Sequence, residues 1–224
     1  MLKDSLIRQA ESIKHSQAHA CVTLPPNISE ILCRDPRLIG FIAARHKMVA
    51  KIFEGLDVLE IGCQEGFGTL FVAPYVKSIT SIDFYGPFIH GFKQFSLPHM
   101  KNCKVQKKDI TQEYIPRSFQ GIFALDVLEH IDAKNEDLFW CNVSASLADS
   151  GTVIVGMPSL ESQVYASEAS KIGHVNCKSG MELKKTAQEY FSNVIILSMN
   201  DEMIHNGYLP MSHYIFVICS GKIC

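Results

Sequence analysis

The segment Val58-Leu59-Glu60-Ile61-Gly62-Cys63-Gln64-Glu65-Gly66-Phe67-Gly68-Thr69 runs an apolar strand-like stretch into three glycines and then a helical pattern. Gly62 suits a tight turn, and Gly66 and Gly68 remove Cβ atoms that would keep a ligand, or the next helix, away from the backbone. The spacing G-x-x-x-G-x-G departs from the G-x-G-x-x-G of a dinucleotide loop, and Glu60 stands two positions before the first glycine. A carboxylate there is unfavourable beside a pyrophosphate and favourable beside a cationic ligand group.

Three further acids stand at the ends of apolar runs. Asp83 closes Ile79-Thr80-Ser81-Ile82, Asp109 follows Lys107-Lys108, and Asp126 follows Phe123-Ala124-Leu125. An ionised Asp83 can accept from both hydroxyls of a ribose and would repel a 2′-phosphate. Its neighbour Phe84 either covers a flat base or packs in the core. Asp109 either faces a ligand or caps a turn. In Asp126-Val127-Leu128-Glu129-His130-Ile131, helical spacing would put Asp126, Glu129 and His130 on one face. A second histidine, His174, lies in Ser170-Lys171-Ile172-Gly173-His174-Val175-Asn176-Cys177, ahead of a helix carrying Glu182-Leu183.

Together these motifs resemble class I S-adenosylmethionine-dependent methyltransferases, over about Gly55 to Cys219. D-V-L-E-H-I and the G-H-x-N stretch resemble the small-molecule branch that methylates phenolic ubiquinone precursors. The resemblance implies S-adenosylmethionine as cofactor, with Glu60, Gly62, Cys63 and Gly66 along its methionine and ribose portions. It implies Asp83 as the ribose acid, Phe84, Asp109 and Ile110 beside adenine, and Asp126 at the cofactor's border. No metal is expected. D-x-x-E-H is nonetheless a near match to an E-x-x-E-H group with which some members hold a divalent ion, so Asp126, Glu129 and His130 would be that ion's set.

Methyl transfer from a sulfonium is an in-line displacement that needs alignment and exclusion of water. A hydroxyl acceptor also needs a base, and histidine suits neutral pH. His130 and His174 are the candidates, with helix capping or a backbone contact the alternative for His174. Around the acceptor, Glu161, Ser162, Gln163, Tyr165 and Asn176 form a polar set, and Asn200 to Tyr208 adds another; ordinary solvent exposure explains them equally. Two polar loops point to a polar acceptor such as a sugar or phenol. Arg45, in Ala44-Arg45-His46-Lys47, either meets the cofactor carboxylate or belongs to a solvated helix face.

Positioning these residues requires a particular order of elements. After Gly55, short apolar runs alternate with helical stretches, which predicts a Rossmann-like, doubly wound, seven-stranded and mostly parallel sheet with an antiparallel final strand. The strands are expected at 57–61, 78–83, 103–107, 121–125, 152–157, 193–198 and 213–219. Helices are expected at 68–75, 87–95, 133–147 and 179–191. Residues 1–54 are read as an N-terminal helical cap, with an amphipathic helix carrying Leu2, Leu6, Ile7, Ala10 and Ile13, and 55–224 as the methyltransferase domain. The connections 158–178 and 199–211 should lie at the carboxyl edge of the sheet, where such sheets bind ligands.

Composition narrows the function classes. The chain has 224 residues, 47% hydrophobic, with 21 Lys plus Arg against 23 Asp plus Glu. A near-neutral balance without basic runs argues against a nucleic-acid partner. No secretory signal or membrane-length apolar run is visible, so a cytoplasmic protein acting on a small molecule is expected. The eight cysteines lack a C-x-x-C pair and read as packing residues, Cys103, Cys141 and Cys219 among them, with only Cys63 near the site. An NAD-dependent oxidoreductase is the second reading, favoured by Asp83 and opposed by the glycine spacing and Glu60. A non-catalytic S-adenosylmethionine-binding protein is the third, because the motifs report binding and not turnover. Nothing in the sequence bears on oligomeric state.

Overall fold

The computed structural model describes Ile7 and residues 23–223. The amphipathic helix expected around Leu2 to Ile13 lies, apart from Ile7, outside the described residues. Among the described residues from 23 on, two helices precede the sheet, α1 (Pro26–Arg34) and α2 (Arg37–Ile52), within the segment expected to form a helical cap. The break falls at Asp35-Pro36, because proline disfavours helical geometry in the residue before it, and Asp35 is extended at φ −153°.

The sheet has eight strands in the order β3-β2-β1-β4-β5-β8-β6-β7. The parallel part comprises β1 (Asp57–Ile61), β2 (Ser78–Asp83), β3 (Cys103–Lys107), β4 (Phe119–Leu125) and β5 (Leu147–Pro158). β8 (Tyr214–Lys222) inserts antiparallel between β5 and β6 (Phe191–Asn200). The eighth strand, β7 (Met203–His205), departs from the expected loop: the chain reverses at Asp201, φ 49°, and pairs Met203 with Asn200. Its three residues are too few for an alternating pattern to show.

Period two places successive side chains on opposite faces, and both faces are apolar as a sheet covered on both sides demands. Leu59, Ile122, Val153 and Val155 join Phe139, Trp140 and Leu183 from α5 (Glu136–Ser146) and α7 (Gly180–Ala187). Val58, Phe123 and Ile154 join Val49, Ala50 and Phe53 at the end of α2. Cys219 is buried in the first layer, whereas Cys141, expected to pack inside, is exposed. The helix expected at 68–75 regularises only over α3 (Thr69–Val72), just before Pro74; the one at 87–95 begins as α4 (Gly86–Gly91) and continues as a π-turn over Phe92–Ser96.

Parallel strands end at a common edge, and this collects Ile61, Asp83, Lys107 and Leu125. The same edge receives both long connections, since Pro158 pairs with Tyr214 and Tyr214 with Met199. The first connection contains a 3-10 turn, Glu161–Tyr165, and α6 (Glu168–Gly173). Among the described residues no helix is long and apolar enough to cross a membrane.

Candidate active site

Two adjoining chambers open at this edge, with Gly62, Gln64 and Asp126 lining both. The larger, about 540 Å³, is bounded by Ile82, Asp83, Phe84, Asp109, Ile110 and His130. The smaller, about 320 Å³, lies between the glycine loop and the two N-terminal helices, with Arg45, His46, Glu60, Cys63, Gly68 and His174 on its walls.

The glycine loop is shaped by its own packing. Gly62 and Gly66 hold φ of 76° and 81°, and a Cβ on either would run into the Val127 or Phe92 side chain. Both conformation and space therefore require glycine. Gly66 lies below the chambers, on Phe92, and not on their walls. α1 is latched to the loop: the Asn27 amide N–H donates to Glu65 Oε2 at 3.0 Å and Asn27 Nδ2 to Gln64 Oε1 at 2.8 Å.

Glu60 is buried, and its Oε2 accepts from Thr69 Oγ1 at 2.6 Å and Ser81 Oγ at 2.5 Å. Burial pushes its carboxyl up to about 7, against the opposing pull of the Ser81 and Thr69 hydroxyls. Cys63 is buried beside it, and burial, with Glu60 and Asp83 close by, raises its thiol well above the ordinary range. Asp83 receives one backbone N–H on each oxygen, from Gln64 at 3.0 Å and Tyr85 at 2.9 Å. Lone pairs remain on both oxygens for further donors, and burial raises the carboxyl.

Phe84 is 67% exposed at the chamber wall, which excludes the core alternative for this ring. Asp109 makes the turn expected of an aspartate: its Oδ1 accepts from the Thr111 N–H at 2.9 Å and hydroxyl at 2.7 Å. It does so while still lining the larger chamber with Ile110.

Asp126 adopts φ 57°, so the helical spacing expected of Asp126, Glu129 and His130 is broken at its first member. Arg45 Nη2 sits 2.9 Å from Asp126 Oδ2, with its guanidinium 4.3 Å above the Tyr214 ring. The basic stretch of α2 thus turns Arg45 and His46 inward and only Lys47 outward. His46 gives its Nδ1 proton to the Ile42 carbonyl at 2.8 Å, and burial depresses it to about 4, so its ring stays neutral against Gly68.

His174 takes the place beside Glu129 and His130 that Asp126 leaves. One carboxylate oxygen of Glu129 and one ring nitrogen of each histidine lie within 4.8 Å of one another. Glu129 is fully buried, neither oxygen has a hydrogen-bond partner among the described residues, and burial followed by the Asp126 charge lifts its carboxyl well above the usual range. His130 Nδ1 is 2.9 Å from the Gly173 carbonyl, and His174 Nδ1 is 2.7 Å from Gln163 Oε1. Each neutral ring that donates in this way keeps its lone pair on Nε2. An orphaned carboxylate beside two such nitrogens is a donor set that fits a divalent cation.

The expected acceptor residues are not gathered here. Asn176 is buried and donates to Glu136 Oε2 at 3.0 Å, a link between the connection and α5. Tyr165 is 90% exposed, and neither it nor Glu161 lines a chamber. Gln163, expected toward the acceptor, instead meets His174 Nδ1 at 2.7 Å, and three residues of the site, His46, Gln64 and Tyr214, were not expected there from the sequence. Only His46 carried a signal, through its helical spacing from Ile42.

Residues 59–155 match the model of the methyltransferase domain family. No curated protein sequence matches the chain. Among solved structures it is similar to DhpI in its SAH complex, at 16% identity and TM-score 0.66 over 88% of this chain and 92% of that one. It is similar to an S-adenosylmethionine-dependent methyltransferase from Clostridium acetobutylicum ATCC 824, at 13% and 0.65 over 87% and 98%. It is also similar to the N-methyltransferase NodS from Bradyrhizobium japonicum WM9, at 18% and 0.61 over 84% and 98%. The domain match over residues 59–155, the strand order and the glycine loop with its carboxylates support a class I S-adenosylmethionine-dependent methyltransferase, whose fold the chain shares.

Proposed function

We propose that the enzyme methylates a small polar acceptor at a hydroxyl of the sugar or phenol type, in the cytoplasm. The observation that carries this reading is the pair His130 and His174, each with its Nδ1 proton committed to a carbonyl oxygen, at the junction of the two chambers. Their geometry leaves bare ring nitrogens, which suits removal of a hydroxyl proton. Burial, then the neighbouring His130, keeps His174 below its ordinary range, so it is an acceptor at neutral pH.

S-adenosylmethionine, when bound, supplies the sulfonium methyl that is displaced. Asp83 would accept from the ribose, Phe84 would cover the base with Asp109 and Ile110 at its edge, and Glu60, Gly62 and Cys63 would face the methionine end with Asp126 between the chambers. Gly66 acts by holding the loop. Residues 1–54, through α1 and α2, would cap the smaller chamber and exclude water. Glu161, Tyr165 and Asn176 would shape the acceptor side from the rim and from beneath the connection.

The orphaned Glu129 favours a second reading for the same groups. A divalent cation held by Glu129, His130 and His174 would polarise the acceptor oxygen and ease loss of its proton. NodS is named as an N-methyltransferase, and a nitrogen acceptor would need the base less. A screen of sugars, phenols and amines with labelled methyl donor, with and without chelator, tests the proposal. Turnover confined to amines overturns the hydroxyl assignment, and loss of phenol or sugar turnover with chelator selects the metal-assisted form.

A further inference from the structure

We infer that Gln163 is a positioning residue: it fixes the proton of His174 on Nδ1 and so leaves the lone pair on Nε2 of a ring that is grouped with Glu129 and His130. This goes beyond the proposed function, rests on it only for the consequence in turnover, and applies whether that lone pair takes a proton or a cation.

The direction of the Gln163 amide is set by its partners. Its Nε2 donates to the Ser159 carbonyl at 3.1 Å. A carbonyl accepts only, so the amide nitrogen must lie on that side and Oε1 must face His174. An amide oxygen likewise cannot donate, so His174 Nδ1, 2.7 Å away, has to carry the hydrogen. The tautomer is therefore dictated by a chain of one-way groups.

Ser159 anchors that chain to the sheet. It is buried at the end of β5, its N–H donates to the His213 carbonyl at 3.1 Å, and its hydroxyl donates to the Ser212 carbonyl at 2.6 Å. The Ser162 hydroxyl also donates to the Ser159 carbonyl, at 2.8 Å, closing the turn on which Gln163 sits. Gln163 thus transmits a position fixed by β5 and the entry to β8 to a ring on another segment, eleven residues further along. His130 has a different partner, the Gly173 carbonyl, so Gln163 acts on the His174 ring alone. Partners of this kind, which hold an imidazole's tautomer, typically cost about 10- to 100-fold in activity or affinity when lost.

The test is ¹⁵N NMR of the full chain labelled at histidine, recorded without ligand above the ordinary histidine range, with His174→Ala to assign the signal. The wild type should show His174 in one tautomer, protonated at Nδ1. Gln163→Glu keeps an acceptor and should keep that tautomer. Gln163→Leu removes the acceptor and should give a mixture. Gln163→Asn is too short to span both partners and should behave like Leu, which preserves the test if the Leu variant fails to fold. A wild-type signal protonated at Nε2, or an unchanged signal in both Leu and Asn variants, overturns the inference. With an acceptor in hand, the Leu and Asn variants should lose about 10- to 100-fold in kcat with little change in KM. A shifted tautomer with unaltered turnover would leave Gln163 in its role and remove His174 from the chemistry instead.

Discussion

Arg45 and Asp126 form an ion pair of 2.9 Å at the junction of the chambers, joining α2 to the residue that follows β4. The guanidinium is nearly buried and lies over Tyr214, whose hydroxyl accepts the Asp126 N–H at 3.2 Å. The pair therefore clamps a residue held at positive φ and takes Asp126 away from the Glu129 cluster. Arg45→Ala should cost about 1–2 kcal/mol of stability, below the figure for a fully buried pair because Asp126 is partly solvated. It should also loosen ligand-dependent stabilisation. Urea unfolding with and without S-adenosylhomocysteine measures both, and a loss under 0.5 kcal/mol by rough estimate would mean that the pair is only a surface contact.

Gly66→Ala places a methyl group against Phe92 at a backbone φ of 81°, and the two penalties act together. The expected destabilisation is about 2–4 kcal/mol. Gly55, at φ 77° with open space around it, is the internal comparison: Gly55→Ala meets only the backbone penalty and should lose about 1 kcal/mol. Equal effects of the two substitutions would show that Phe92 moves aside.

Asp83 and Phe84 separate two contributions to cofactor affinity. Asp83→Ala removes an acceptor that also ties down the Gln64 and Tyr85 amides, so stabilisation by S-adenosylhomocysteine should vanish and the fold should weaken slightly. Phe84→Ala removes an exposed ring and should leave stability unchanged while weakening binding about three- to tenfold, the worth of one aromatic contact. NAD serves as control. A thermal shift with NAD and none with S-adenosylhomocysteine would point back to the oxidoreductase reading.

The parallel half of the fold was legible because its signal is local. Asp57 to Ile61, Ser78 to Asp83 and Cys103 to Lys107 each combine an apolar run with a turn on either side, and the strands occupy those same bounds. The carboxylates at their ends were legible for the same reason. What local pattern does not encode is the direction of a polar side chain in a loop. Gln163 and Ser162 bond back to Ser159, while Val164 and Tyr165, five and six positions after it, face solvent. Likewise the pairing of Arg45 with Asp126 joins residues eighty-one positions apart and needed the sheet to bring them together.

Glu60 gives a pH dependence whose sign can be worked out. Its folded value, about 7, exceeds the ordinary 4.5, so the folded chain holds this proton more tightly than the unfolded one. Stability from this group is therefore greatest below about 4.5, falls as pH rises to about 7, and is level above that. Glu60→Gln keeps an oxygen for Thr69 and Ser81 without the charge. Its stability relative to wild type should rise across that window and then plateau. Denaturation series at several pH values read this directly, and a constant difference would show that Glu60 is charged throughout.

Glu129 carries the strongest expectation of a conflict between stability and function. A carboxyl group with both oxygens buried and no hydrogen-bond partner among the described residues costs the fold its desolvation, and the nearby Asp126 opposes its ionisation. Glu129→Met replaces it with an apolar chain of similar length beside the Cys177 thiol, and should stabilise the protein by about 1–3 kcal/mol. The same change should abolish turnover if the cluster acts on the acceptor. Magnesium, manganese or zinc added to the wild type should raise its melting temperature if the three donors take a cation, and the same salts should leave the Met variant unmoved. A Met variant less stable than wild type would mean that the buried carboxylate is already satisfied, and the donor-set reading would fall with it.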